Sequence, residues 1–398
     1  MSNGHNAVIA QSGGPTAVIN QSLVGCIEAL RNSGRIGAIY GARHGVRGMT
    51  TDEFIDLTEV PQARLERIAR TPSAALGSTR DKPDAEYCGR IFEALIRKDI
   101  RYFFYIGGND SADTSRIINE TAQRGGYDLR CYHLPKTIDN DLEENDHTPG
   151  YGSAARWVAM AFMSDNLDNR ALPGVKIDVV MGRNAGFLTA ASALGRRHDD
   201  DGPHLIYLPE RVFDPEDFVD EVDEVNRRLG RCLIAVSEGI KDRAGNAVTA
   251  MMADRRERDA HGNIALSGTG ALGDFLAERL RQDLGKNGKK LRVRADTFGY
   301  IQRSSYEVSP VDVEEARAVG HFGAMQALAG APSGSIVIRR QSTDPYRVSY
   351  DLVPLERVAA KTRTMSAEFM EPDRPGVTEA FIRYATPLVG ELPKSERL

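Results

Sequence analysis

Ala7-Val8-Ile9-Ala10, followed by Gly13-Gly14-Pro15 and then by helical periodicity from Ala17 to Leu30, is the stretch that decides the fold. A short apolar run, a glycine turn and an amphipathic segment read as strand, loop and helix. The pattern recurs. Tyr102 to Ile106 leads through Gly107-Gly108 into a second helix-like stretch, and Ile177 to Met181 leads through Gly182 to Gly186 into a third. Repeated strand, glycine turn and helix is the sequence form of βαβ units, with ligand loops at the carboxyl ends of parallel strands, so the chain reads as a doubly wound α/β protein.

The glycine turns carry chemistry as well as topology. Without a Cβ, backbone amides can approach an anion, and the following helix N-terminus adds partial positive charge. None of the turns has the spacing of a P-loop or a full dinucleotide fingerprint with its acidic ribose partner, which argues against a Rossmann-type oxidoreductase. Beyond the strand-like run Cys131 to Leu134 lies Pro135-Lys136-Thr137-Ile138-Asp139-Asn140-Asp141. One lysine and two carboxylates so close together outline a phosphoryl-transfer site: a cation for phosphate, a base for a hydroxyl proton, and a second carboxylate for Mg²⁺ or orientation. The same residue types also build ordinary turns.

Composition bounds the rest. The chain has 398 residues, enough for two or three domains, and is 41% hydrophobic, enough for real cores. Lys plus Arg total 51 against 56 acidic residues, a net charge of -5 that offers no general attraction to nucleic acid or an anionic membrane, so any anion must be held locally. Cys26, Cys88, Cys131 and Cys232 are widely spaced, which suggests reduced structural thiols rather than a zinc site or a disulfide framework. No stretch approaches a membrane span and no signal-like leader is evident, so a cytoplasmic protein is expected. Asp214 to Glu224 and Glu314 to Arg317 read as solvated helix faces, Arg255-Arg256 as a surface pair, and Gly376 to Leu398 as a peripheral cap with a frayed end.

Taken in order, seven motifs converge: Gln11 to Asn20, Gly77-Ser78-Thr79-Arg80, Gly107-Gly108-Asn109-Asp110-Ser111, Pro135 to Asp141, Met181-Gly182-Arg183-Asn184-Ala185-Gly186, Ala235 to Gly239, and Gly299-Tyr300-Ile301-Gln302-Arg303. In that order the chain resembles the phosphofructokinase family over most of its length. The resemblance implies two Rossmann-like lobes with the active site in the cleft between them. Residues 1–150 plus about 303–355 would form the donor lobe, and 151–302 plus about 356–398 the sugar-phosphate lobe and C-terminal cap. It also implies a homodimer or homotetramer with shared active sites.

The resemblance places Asp139 as the base for the sugar 1-hydroxyl, Asp141 as support for the metal and the geometry, and Thr137 against the transferred phosphate or the sugar. Fructose 6-phosphate would be recognised by Met181, Gly182, Arg183, Glu238, Arg294, Tyr300 and Arg303, with Tyr300 where many members carry histidine. Gly13, Gly14, Arg80, Asp110 and Lys136 would hold the donor, and Asp110 and Asp141 the Mg²⁺ cofactor. Asp110 and Lys136 stand where ATP-using members carry glycine, the pairing of pyrophosphate-dependent members. A carboxylate there would repel a nucleotide α-phosphate, while a lysine can neutralise compact pyrophosphate.

Two departures stand out: Asn109 replaces an aspartate implicated in Mg²⁺ binding, and Gly174 stands where a neighbouring-subunit arginine is expected, with Lys176 a candidate replacement. The implied activity is reversible phosphoryl transfer from pyrophosphate to fructose 6-phosphate, serving glycolysis and gluconeogenesis. The alternatives are an ATP-dependent 6-phosphofructokinase and, more remotely, a non-catalytic sugar-phosphate-binding homologue.

Overall fold

The protein is described here from a computed structural model covering residues 4–251, 270–285 and 291–397. The Arg255-Arg256 pair lies outside the described residues. The chain divides into two compact units, Met1–Ser153 with Arg303–Arg363, and Ala154–Gln302 with Thr364–Leu398.

The strands in chain order are β1 Asn6–Gln11, β2 Ile39–Ala42, β3 Phe54–Asp56, β4 Ile100–Gly107, β5 Arg130–Pro135, β6 Val175–Val180, β7 Leu205–Tyr207, β8 Cys232–Ser237, β9 Val293–Thr297, β10 Gly334–Thr343 and β11 Tyr346–Val353. The helices are α1 Ile19–Asn32, α2 Val46–Thr50, α3 Gln62–Ala69, α4 Ala85–Arg97, α5 Asn109–Arg124, α6 Tyr151–Ala171, α7 Phe187–Ala190, α8 Pro215–Leu229, α9 Ala271–Leu284, α10 Pro310–Leu328 and α11 Glu379–Val389. Each apolar run named from sequence is a strand, and the helix expected at Ala17 begins at Ile19.

In the first unit the sheet order is β11-β10-β5-β4-β1-β2-β3. Its centre is parallel, while β3 and β11 pair antiparallel at the edges. Chain order reverses between β1 and β4, so the crevice expected of an open α/β sheet falls where Gln11 to Gly14 and Gly107 to Asn109 leave their strands. Alternating side chains bury Ala7, Ile9, Phe104 and Tyr132 on one face, and Val8, Ala10, Phe103, Tyr105 and Cys131 on the other. On the first face α1 packs against α10 through two glycines. A Cβ on Gly25 would meet the Arg317 carbonyl oxygen at 2.1 Å, and one on Gly320 the Ser22 carbonyl oxygen at 2.0 Å.

The second unit holds a parallel sheet of order β7-β8-β6-β9, whose core includes Val175, Ile177, Val179, Ile234 and Val236 against Phe218, Val222 and Leu276. Asp214 caps α8, accepting from the Glu216 N–H at 2.9 Å, and Phe218 and Val222 turn inward beneath the acidic outer face.

Two surface expectations are corrected. Glu315 is buried between His147 and Tyr346, and Arg317 is bound by Glu28 and Glu66, so Glu314 to Arg317 is not a solvated face. The C-terminal segment is not frayed: Phe381, Leu388 and Val389 are buried, and the Arg397 guanidinium is held by Asp200 and Asp201. All four cysteines are free and buried, and no described helix is long and apolar enough to cross a membrane.

Candidate active site

At the carboxyl end of β1 the chain turns at Gly13, where φ is +74° and the N–H donates to the Thr79 carbonyl at 2.9 Å. A left-handed residue at a ligand loop is the place where glycine is required. Ser12 and Ser111 share a hydroxyl hydrogen bond of 2.5 Å, which ties the β1 loop to the first turn of α5. Lys136 enters from the end of β5, with Nζ donating to the Gly14 carbonyl at 2.7 Å. A Cβ on Gly13 would sit 3.2 Å from that Nζ, and one on Gly14 only 2.7 Å from Arg303 Nη1. The paired glycines thus leave room for two cations beside exposed backbone.

Lys136 is 3% exposed, and its pKa is pulled down to about 7. Burial is the main cause, the charges of Arg303 and Arg80 add to it, and Asp139 and Asp141 oppose it. The lysine, the two carboxylates and the two arginines named from sequence therefore form one electrostatic group. Arg303, expected at the sugar, lies beside Gly14 and Lys136 in the first unit.

The Lys136 N–H donates to the Gly107 carbonyl at 2.9 Å, joining the β5 exit to the β4 turn. His133 bonds the same carbonyl through Nε2 at 2.8 Å and the Ser335 hydroxyl through Nδ1 at 2.7 Å. A carbonyl only accepts, so Nε2 carries the proton and, in the neutral ring, Ser335 donates to Nδ1. Burial pulls the His133 pKa down to about 4 and keeps the ring neutral.

The loop after Lys136 is fixed at several points. The Asp139 N–H donates to Thr137 Oγ1 at 3.1 Å, and the Thr137 side chain hydrogen-bonds the Asp141 carboxylate. Burial raises the Asp141 pKa against the pull of that bond and of Arg363 and Lys136. Asn140 adopts φ +59°, a conformation for which asparagine is better suited than most residues. Thr137 N–H donates to Pro149 O, and Thr148 Oγ1 to Thr137 O at 2.9 Å. Sequence reasoning missed Arg363. Its guanidinium donates to the carbonyls of Asn140, Asn145 and Asp146, and its N–H to the Asp141 carbonyl. Nothing in the sequence pattern marks it, because it lies 223 positions from Asn140 in a segment without a motif.

At the start of α5, Asn109 spends its side chain on structure. Its Oδ1 accepts from the Asp110 N–H at 2.8 Å, and its Nδ2 donates to Thr362 Oγ1 at 2.8 Å. Asp110 is exposed, with its carboxylate 3.1 Å from Lys82 Nζ. The described residues contain no group of three or more metal-binding side chains. Two separate carboxylates fit an ion that keeps most of its water and substrate oxygens, as Mg²⁺ does, rather than a protein cage.

In the second unit, the Met181-Gly182-Arg183 and Ser237-Glu238-Gly239 turns leave β6 and β8 side by side. Gly182 has φ +130°, and its carbonyl accepts from Ser237 Oγ at 2.7 Å. A Cβ on Gly239 would lie 2.0 Å from the Arg183 carbonyl oxygen. Gln302 Oε1 accepts from the Met181 N–H at 3.3 Å, which brings the Gly299–Arg303 turn and exposed Tyr300 to the same end. Arg294 does not join them within the chain. It pairs with Lys176 near the other end of the sheet and is exposed.

Gly174 has φ +157°, and its Cβ would lie 2.8 Å from the Arg292 carbonyl oxygen, so an arginine there meets a steric barrier. Lys176 is no substitute, because its ammonium is engaged by Asp165, Asp178 and Asp296.

The profile of the phosphofructokinase family matches residues 6–326. The chain belongs to that family. A phosphofructokinase relative from Rhodospirillum rubrum, named pyrophosphate–fructose 6-phosphate 1-phosphotransferase, is 56% identical over 393 residues, covering 98% of this chain and 96% of its own. A relative of the same name from Halomonas elongata is 37% identical over 396 residues, covering 97% and 92%. The solved structure of a pyrophosphate-dependent phosphofructokinase from Nitrosospira multiformis superposes with a TM-score of 0.85 at 34% identity, covering 99% of this chain and 95% of the other.

Proposed function

We propose that this chain transfers a phosphoryl group reversibly between pyrophosphate and the 1-hydroxyl of fructose 6-phosphate, giving fructose 1,6-bisphosphate and phosphate. The observation that carries the reading is Lys136, a buried ammonium at the Gly13-Gly14 turn facing Asp139 and Asp141, together with the names of full-length relatives. ATP-using members would carry glycine in its place.

In this reading the first unit binds the donor. Lys136, Arg80 and the amides around Gly13 and Gly14 hold pyrophosphate oxygens, and Arg303 adds charge beside them. Asp139 accepts the proton of the 1-hydroxyl as its oxygen bonds to the transferred phosphorus and the bridging P–O bond breaks, with phosphate leaving. Thr137 and Arg363 hold Asp139 and Asp141 in place. Mg²⁺, carried mainly on the donor's oxygens with Asp110 and Asp141 as protein ligands, would neutralise charge that develops in the transition state.

The second unit recognises the sugar phosphate. Met181, Gly182 and Arg183 contact it, Glu238 accepts from its hydroxyls, and Tyr300 donates to the 6-phosphate. Arg294, exposed on β9, acts on the site of a second copy, in a homodimer or homotetramer. Exchange of one phosphoanhydride for one ester supports turnover in both directions, suited to glycolysis and gluconeogenesis in the cytoplasm.

The test is the initial rate with fructose 6-phosphate and Mg²⁺, with pyrophosphate and ATP in parallel, on the native chain and on Asp139→Ser. The reading expects pyrophosphate-dependent turnover that Asp139→Ser lowers by about 10²–10⁴-fold while sugar-phosphate binding survives. A rate with ATP alone overturns the donor assignment, and full turnover of the variant overturns the base.

A further inference from the structure

The loop that carries Asp139 and Asp141 ends in a buried ionic assembly that the reaction as written does not use. His147 is 2% exposed, with Nδ1 2.8 Å from Asp146 Oδ2 and Nε2 2.6 Å from Glu315 Oε2. A carboxylate accepts and does not donate, so a ring bonded to one through each nitrogen donates from both and is an imidazolium. Tyr346 hydroxyl donates to Glu315 Oε1 at 2.6 Å and lies 3.3 Å from His147 Nε2. Arg340 Nε donates to Asp146 Oδ2 at 3.0 Å, and its guanidinium lies 5.3 Å from the Tyr346 ring centre. Asp312, also on α10, accepts from the N–H groups of Gly150 and Ser153 at 2.8 and 2.9 Å.

The groups around His147 are therefore Asp146 on its own loop, Glu315 on α10, Arg340 on β10 and Tyr346 on β11, with Asp312 one turn before Glu315 on α10. Burial pulls the His147 pKa down, but the hydrogen bonds and charges of Asp146 and Glu315 outweigh it and leave the pKa raised.

An ion cluster of this kind is a weak source of stability, because removing its charges from water offsets most of their attraction. Its connections point to another role. The residue after His147 is Thr148, whose Oγ1 donates to Thr137 O, and the next is Pro149, whose carbonyl accepts from Thr137 N–H. Thr137 in turn receives the Asp139 N–H. His147 thus stands one and two residues before the two groups whose bonds set the backbone of the catalytic turn.

We propose that His147, bridged between Asp146 and Glu315, is a positioning residue that fixes the loop 137–150 onto α10 and the β10–β11 hairpin, and so sets the place of Asp139. The inference rests on Asp139 being the base. Displacing a catalytic group by about 1 Å costs on the order of 100-fold in rate. Binding of either substrate does not require the loop to be so exact.

The test compares steady-state rates of His147→Asn, Glu315→Gln, Tyr346→Phe and Asp139→Ser with the native chain, at a temperature where circular dichroism shows each folded. His147→Asn is expected to lower kcat by about 10–100-fold, with KM for pyrophosphate and fructose 6-phosphate held within about 3-fold. Glu315→Gln should fall between, and Tyr346→Phe should be the mildest. Nitrogen-15 spectra of the native chain at pH 7.5 should show His147 protonated on both ring nitrogens.

Native kcat in His147→Asn, or a neutral His147 ring, overturns the proposal. If His147→Asn does not fold, native kcat in both Glu315→Gln and Tyr346→Phe overturns it. Full turnover of Asp139→Ser removes the base assignment itself, and is distinguished from failure of the present proposal, in which Asp139→Ser is inactive and His147→Asn is not.

Discussion

Lys136→Met should damage catalysis and stabilise the fold at once, because the proposed role holds a charge against the donor that burial disfavours in the fold. The side chain is 3% exposed, and its pKa stands at about 7 instead of the ordinary 10.5. At about 1.4 kcal/mol per pKa unit, that gap corresponds to roughly 5 kcal/mol by which a charged Lys136 opposes folding. Methionine keeps the length and removes the charge. It forfeits the bond to the Gly14 carbonyl, worth about 1 kcal/mol, so a net gain of about 2–4 kcal/mol is expected at pH 7.

The donor effect runs the other way. Two opposite charges 4 Å apart at an effective dielectric of 20 attract by about 4 kcal/mol, so loss of the ammonium should lower kcat/KM for pyrophosphate by about 10²–10³-fold. The sign of the pH effect follows from linkage. The folded pKa lies below the unfolded one, so the destabilisation is complete below about pH 7 and fades as pH rises toward 10.5. The melting-temperature advantage of the variant should therefore be near its full size at pH 7 and shrink to about a third of that at pH 9. Initial rates with varied pyrophosphate, and thermal melts at both pH values, read the two effects. A variant that melts below the native chain at pH 7, or that loses less than 10-fold in kcat/KM, refutes the reasoning.

Arg363→Ala should lower kcat by about 10-fold or more while leaving KM for both substrates nearly unchanged, and Arg363→Lys should not restore it, since a point charge cannot reach three carbonyls as the planar fork does. Steady-state kinetics on both variants checks this. His133 has a folded pKa of about 4 against an ordinary 6.5, so the unfolded chain binds the proton first as pH falls. Stability should decline by about 3 kcal/mol from pH 6.5 to 4 and then level off, and urea denaturation should find a shallower decline in His133→Gln. The double change Lys136→Gly with Asp110→Gly should weaken pyrophosphate use and admit some ATP turnover, and undiminished pyrophosphate activity would count against the charge argument.

What the sequence made legible is the part of the fold that depends on local period and on glycine. The apolar runs at Ala7, Tyr102, Cys131 and Ile177 became β1, β4, β5 and β6 because each is buried on both faces. The glycine turns could be placed because Gly13 and Gly182 need backbone angles that other residues rarely adopt. Long-range side-chain choices were hidden. Glu315 and Arg317 look like surface charges on a helix, but partners on other elements enclose them, from 31 positions away for Tyr346 to 289 for Glu28. Arg363 belongs to no pattern, and only the packing of its segment against the Asn140–Asp146 loop gives it a role. Lys176 showed the converse. Its position suggested a ligand contact, whereas Asp178 on its own strand, Asp165 on α6 and Asp296 on β9 engage its ammonium.

The charge arrangement also explains why a compact donor suits this site better than charge counting alone would suggest. Lys136, Arg303 and Arg80 would repel one another if all were fully charged in an empty pocket, and Asp139 and Asp141 offset only part of that repulsion. Burial resolves the conflict by holding Lys136 near its titration point, so the empty site carries less positive charge than its composition implies. A pyrophosphate dianion or trianion placed among these groups favours the protonated ammonium and draws in a proton as it binds. Asp110 then has a limited part, since Lys82 already answers its carboxylate and leaves a weakened field for repelling a nucleotide α-phosphate. In the proposed reading the greater share of donor selection therefore falls to Lys136, whose charge at neutral pH is completed by a highly charged phosphate on the Gly13-Gly14 turn.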